Sequence, residues 1–213
     1  MEPMVALHQA LSPAPEQHAL AVYGALHDGE ETVVLLGPEE GCFWPAFTHT
    51  SEYGDGLPNP LDRFSKRIIS DFAESWGGIA VFPSDGPPYP PFMQWAMASG
   101  QAWQSPIGML VHARAGLWAS YRGAVRLPAL YDLPEAGQNP CDTCADKPCL
   151  TACPVGALNA SQSYDVPACK AHIGSPEGAD CLKSGCLSRR ACPQSQAFGR
   201  APEQSNFHMK AFL

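Results

Sequence analysis

Four cysteines fall within thirteen residues of this chain, in the stretch "CDTCADKPCLTACPVGAL" from Cys141 to Leu158. Their spacing is C-x2-C-x4-C-x3-C-P, through Cys141, Cys144, Cys149 and Cys153. A second group follows, Cys169, Cys181, Cys186 and Cys192, spaced C-x11-C-x4-C-x5-C-P. Each group closes on alanine, cysteine and proline, in "TACP" and "RACP". Thiols at this density cannot be ordinary core residues, so the fold of the last third must serve them. Disulfides, zinc or iron–sulfur clusters are the chemistries that gather cysteine in this way.

The rest of the chain weighs those three. The N-terminal "MEPMVALHQALSPAPEQ" has no basic start and no long apolar centre, and no apolar run reaches the length of a membrane span. A cytoplasmic location with no membrane is therefore expected, and there reduced thiols are the rule. Zinc is the stronger rival, because the first spacing approximates a zinc knuckle and a tetrahedral site needs only one group of four. Zinc gives no reason for the Cys-Pro ending to occur twice. A [4Fe–4S] cubane needs one thiolate at each of four iron corners, and two groups of four fit two such clusters. The expected metal ligands are Cys141, Cys144, Cys149, Cys153, Cys169, Cys181, Cys186 and Cys192. The ninth cysteine, Cys42 in "GCFWP", has no base beside it and reads as a buried structural residue. His172 is the one histidine near a ligand, and with eight thiols present it is superfluous. His112 in "VHARAG" reads as a structural residue, and no catalytic residue is assigned.

Charge separates the two parts of the chain. Residues 1–137 carry a net −9 and residues 138–213 a net +1, for the total of −8. An acidic chain without a concentrated basic face is not expected to bind nucleic acid. The 22 prolines and 19 glycines point to short elements and many turns.

The first 130 residues read as a mixed α/β domain. "ALAVYGALHD" and "ETVVLLGP" predict two strands joined at Asp28-Gly29-Glu30. "NPLDRFSKRIISDFAESWGG" predicts a helix capped by Asn59, begun by Pro60 and ended by Gly77. Leu61, Phe64, Ile68, Phe72 and Trp76 form its core stripe. "GIAVFPSD" predicts a short buried strand. The loop "GPPYPPFMQWAMASG" leads into a short helix, with Tyr89, Phe92 and Trp95 expected in loop packing. "GMLVHARAGLWASYRGAVRL" predicts two strands about Ala115-Gly116, the second running from Leu117 to Leu127. "PALYDLPEAGQNP" reads as a linker to the cysteines, which gives domains at 1–130 and 131–213.

At its cysteines the chain resembles the two-cluster ferredoxin family, whose run it matches with two extra residues near Asp146-Lys147. The late, spread second group is similar to the cluster domain of epoxyqueuosine reductase and the reductive dehalogenases. The resemblance covers roughly residues 105–193. It implies an α+β chain: a nitroreductase-like N-terminal domain followed by a bacterial ferredoxin-like dicluster domain. It also implies that the cysteine before each proline serves the other cluster. One cluster would then take Cys141, Cys144, Cys149 and Cys192, and the other Cys153, Cys169, Cys181 and Cys186. The expected function is electron transfer with a redox partner protein or a small-molecule acceptor. The alternative is a cobalamin-dependent reductase whose first domain holds the corrinoid.

Overall fold

The computed structural model describes residues 5–161 and 163–213. Among them the chain mixes helix with antiparallel strand. It forms two compact units, Met1–Gln101 with Ser120–Gly137, and Ala102–Ala119 with Gln138–Leu213. Where the sequence places one cut at residue 130, the units interleave. The segment 102–119 belongs with the cysteines, and the expected linker up to residue 137 belongs with the first unit.

The strands are β1 (Leu20–Asp28), β2 (Glu31–Pro38), β3 (Ile79–Val81), β4 (Ala102–Gln104), β5 (Leu110–His112) and β6 (Gly123–Leu127). The first unit holds a four-stranded antiparallel sheet in the order β1-β2-β6-β3. The predicted hairpin is present: Asp28 pairs with Glu31, leaving Gly29 and Glu30 as its turn. Gly29 has φ of +66°, the left-handed backbone such a turn needs. Central β2 has no solvent-facing side, for Val33, Val34, Leu35 and Leu36 are all fully buried. Successive strand residues face opposite ways, so both faces of the sheet are covered there.

The helices of this unit are α1 (Leu7–Ala10), α2 (Phe43–Thr48), α3 (Ser51–Gly54), α4 (Pro60–Ser75) and α5 (Phe92–Ala98). The long helix α4 packs on β3 and β6, and α5 on β1 and β2. All five residues of the predicted stripe of α4 are buried. Pro60 opens the helix, but Asn59 caps nothing with its side chain and instead takes a left-handed φ of +53°. The far end is a Schellman closure, with Gly78 N–H bonded to Ala73 O at 2.7 Å and Gly77 N–H to Glu74 O at 3.2 Å. Gly77 supplies the required φ of +69°.

Two strand expectations are corrected. β3 is an edge strand and not a buried one, with Ile79 67% exposed, because only β6 pairs with it. The strands about Ala115-Gly116 are not partners: β5 pairs with β4, while β6 is shorter than predicted and pairs with β2 and β3. Phe92 and Trp95 pack inward as expected, whereas Tyr89 is exposed.

The second unit contains the β4–β5 pair and five helices: α6 (Val166–Ile173), α7 (Ala179–Ser184), α8 (Leu187–Ala191), α9 (Pro193–Phe198) and α10 (Pro202–Phe212). Most are too short to be stable by helical propensity and rest on packing. Asp165 caps α6 by accepting Ala168 N–H at 2.9 Å. α10 packs along α7, where Asn206 donates to Leu182 O at 2.9 Å.

Candidate metal centre

Each of the eight expected cysteines lies in the second unit, and all are free thiols. Local geometry positions them one by one. Asn139 Oδ1 accepts the Cys141 N–H at 3.0 Å, which fixes the entry to the first run. Lys147 has a φ of +41° and turns the chain into a 3₁₀ turn, Pro148–Leu150, that carries Cys149. Cys181 lies on α7, and Cys186 begins α8. Cys192 sits between α8 and α9, in extended backbone that Pro193 then converts into a new helix start.

The fold sorts these residues into two groups. Cys141, Cys144, Cys149 and Cys192 line one cavity of about 180 Å³, walled by apolar groups that include Val111 and Leu117. Cys153, Cys169, Cys181 and Cys186 line a second, of about 20 Å³, beside Leu158, Ile173 and Leu187. Each group draws members from both sequence runs, and the two cysteines that precede proline, Cys153 and Cys192, have changed places. These are the sets that the resemblance implies. Among the described residues, no three His, Cys, Asp or Glu side chains are arranged as ligands of a single ion.

The surroundings are largely apolar. Cys149 and Cys192 are part of a buried cluster with Ile107, Val111, Leu117 and Leu158, and Cys141, Cys153 and Cys186 pack against it. Burial pushes the Cys141 and Cys149 thiols up, and thiolate repulsion within their own group adds to it. Lys147 works the other way on Cys141. In the second group burial likewise raises Cys169 and Cys181. There Tyr164, hydrogen-bonded to Cys169, and the nearby Arg189 oppose the rise at Cys169, while Arg190 opposes it at Cys181. Ionisation of Cys141, Cys149, Cys169 and Cys181 is thus opposed where they stand, so any species that binds them as thiolates must displace their protons.

The other candidates resolve simply. His112 is structural, as expected: its Nδ1 accepts the N–H groups of Arg114 and Ala115 at 3.1 and 3.2 Å, closing the tight turn after β5. His172 lines the second cavity together with its four cysteines. Cys42 is exposed and not buried, because it stands at the start of α2 and turns its thiol to Glu39 O at 3.4 Å.

Sequence reasoning missed the supports contributed by segment 102–119. Val111 and Leu117 wall the first cavity. Ser195, fully buried just after Cys192-Pro193, accepts the Leu117 N–H at 2.8 Å. Gly116 makes the approach possible, because a Cβ there would lie 2.5 Å from Ser195 N. The serine in "CPQSQ" carries no signal of that partner.

Comparison with protein-family models, curated proteins and solved structures finds no match to this chain.

Proposed function

We propose that the second unit holds two [4Fe–4S] clusters and that the protein transfers electrons. Cys141, Cys144, Cys149 and Cys192 would hold one, and Cys153, Cys169, Cys181 and Cys186 the other. One observation carries this reading: two groups of four thiols, each lining its own cavity and each assembled from both sequence runs. When bound, such clusters supply one-electron redox chemistry at potentials set by burial, charge and hydrogen bonds to sulfur. The protein's own residues address each of those variables. Val111 and Leu117 give the first group an apolar wall. Tyr164 hydrogen-bonds one sulfur of the second, and Lys147, Arg189 and Arg190 place positive charge beside the thiolates.

A cobalamin-dependent reductase is the second reading. It is favoured by the first unit, whose separate four-stranded sheet is more than an electron relay requires. In it, the first unit would be nitroreductase-like and would hold the corrinoid, and the cofactor would carry the chemistry.

Anaerobic purification followed by iron and sulfide analysis and EPR of the reduced protein tests the first reading. About eight irons and eight sulfides per chain are expected; zinc in their place overturns it. Cobalamin added to the same sample separates the two readings, since only the reductase gives a saturable change in the corrin absorption bands.

A further inference from the structure

Within the first unit, a cavity of about 230 Å³ is lined by Asp62, Lys66, Phe82, Pro83, Ser84 and Arg122. Asp62 and Lys66 are one turn apart on α4, Phe82 to Ser84 follow β3, and Arg122 directly precedes β6. The loop is held in place. Asp85 accepts the Phe82 N–H at 2.9 Å and returns its own N–H to Phe82 O at 3.0 Å. Gly123 brings the Phe82 ring close, since a Cβ there would lie 3.0 Å from it and 2.8 Å from Ile69 Cδ1. Arg122 is pinned through its backbone N–H to Leu36 O at 2.8 Å.

Arg122 is the unusual group. Only 14% of its side chain is exposed, yet a guanidinium keeps its charge and presents five N–H donors. Among the described residues its side chain makes one hydrogen bond, Nε to Tyr121 O at a long 3.4 Å. Its one ion pair is with Asp62 at 3.9 Å, beyond hydrogen-bond reach, and that carboxylate is itself 53% exposed. Burial pulls the Arg122 pKa down, and Asp62 opposes this. Among the described residues neither terminal nitrogen has a hydrogen-bond acceptor, and Arg122 lines the cavity.

The remaining charges define what fits. Lys66 lies 3.6 Å from Asp85 and 5.5 Å over the Phe82 ring. The lining carries two cations, Lys66 and Arg122, and one anion, Asp62, while Asp85 lies outside it as the partner of Lys66. A single negative charge balances that lining and can replace the distant Asp62 at the guanidinium. Phe82 and Pro83 add an apolar wall that a bare inorganic ion would not use.

We propose that this cavity binds a small monocarboxylate with a flat or apolar body. The carboxylate is taken by the Arg122 guanidinium, and the body lies on Phe82 and Pro83. A guanidinium fork matches a carboxylate with two parallel hydrogen bonds, and such bonds strengthen away from water. The site lies wholly in the first unit and stands whether or not the cysteines hold iron.

Benzoate titrated into the full chain tests it, followed by calorimetry and by the ¹⁵N-detected Arg122 Nε–Hε resonance, assigned by its loss in Arg122→Gln. Saturable binding is expected, with benzamide, the uncharged analogue, weaker by roughly tenfold or more. Arg122→Gln should weaken benzoate by a similar factor. Lys66→Ala, at a half-exposed position that folding tolerates, should weaken it roughly threefold. Asp62→Asn should tighten it roughly threefold by removing the competing carboxylate. No movement of the Arg122 resonance at tens of millimolar benzoate overturns the proposal. So does preferential saturation by inorganic phosphate, and so does weaker benzoate binding in Asp62→Asn.

Discussion

In the first unit the interior is hydrocarbon: four consecutive β2 residues, Val33 to Leu36, are fully buried, and Phe43, Phe47, Phe64 and Phe72 are buried with them. In the second unit sulfur takes a share of that place. Its core cluster counts Cys149 and Cys192 among its six buried members, and the helices around it are mostly short. Hydrophobic burial is the main support of the first interior, at roughly 25 cal/mol per Å² of apolar surface. The second interior includes thiols, and burial opposes the ionisation of Cys149 among them, so the clusters proposed above would, when bound, supply much of its stability. Folding of the first unit should therefore be indifferent to iron, and folding of the second should depend on it.

The sharpest break between the units should come from removing the metal. Anaerobic chelation should lower the opening free energy of α6 to α10 by at least about 3 kcal/mol, a hundredfold or more in amide exchange, and leave β1, β2 and α4 protected. Equal protection in both units after chelation would erase the contrast. Phe72→Ala is the converse change. This buried ring stacks on Trp76 at 4.8 Å, and its loss should cost about 3–5 kcal/mol in the first unit, by chemical denaturation, without changing the iron count.

Smaller effects sharpen the comparison. Ser195→Ala leaves the buried Leu117 N–H without its acceptor and should cost about 1–2 kcal/mol, read in hydrogen exchange of the second unit alone. Glu52→Gln probes charge in the first unit. Arg67, hydrogen-bonded at 2.6 Å, holds the Glu52 carboxyl down to about 2 from an ordinary 4.5. A depressed carboxyl stabilises the fold above its unfolded pKa and ceases to do so as pH falls through the folded value. Because Arg67 is half exposed, the substitution should cost only about 1 kcal/mol at pH 7. The difference from the parent should shrink between pH 4.5 and 2. A difference that persisted at pH 2 would assign the effect to packing and not to the ion pair.

The features legible in the sequence were those set by local chemistry. Gly29 between two apolar runs marked the hairpin, and Pro60, the Leu61-to-Trp76 stripe and Gly77 marked α4, because turn and cap requirements act over a few residues. The cysteine spacing marked the eight thiols, and the exchange between groups was implied only by the resemblance to two-cluster ferredoxins. What escaped was decided by distant partners. The short apolar runs in 102–119 fit a strand in either unit, and only tertiary pairing sent β5 to β4. β3 is apolar enough to be central but lies at an edge, since nothing in "GIAVF" names its neighbours. Asn59 had the right chemistry for a cap but took a left-handed backbone instead. Arg122 gave no signal, because its burial with only a distant Asp62 as counter-ion exists only once Gly123, Phe82 and α4 are assembled.

Iron-edge anomalous diffraction from crystals grown without oxygen tests the central claim most directly. Two iron clusters are expected in the second unit, one bonded to Cys141, Cys144, Cys149 and Cys192, the other to Cys153, Cys169, Cys181 and Cys186. A single metal site, a zinc edge in place of iron, or Cys192 bonded together with Cys186 would contradict it.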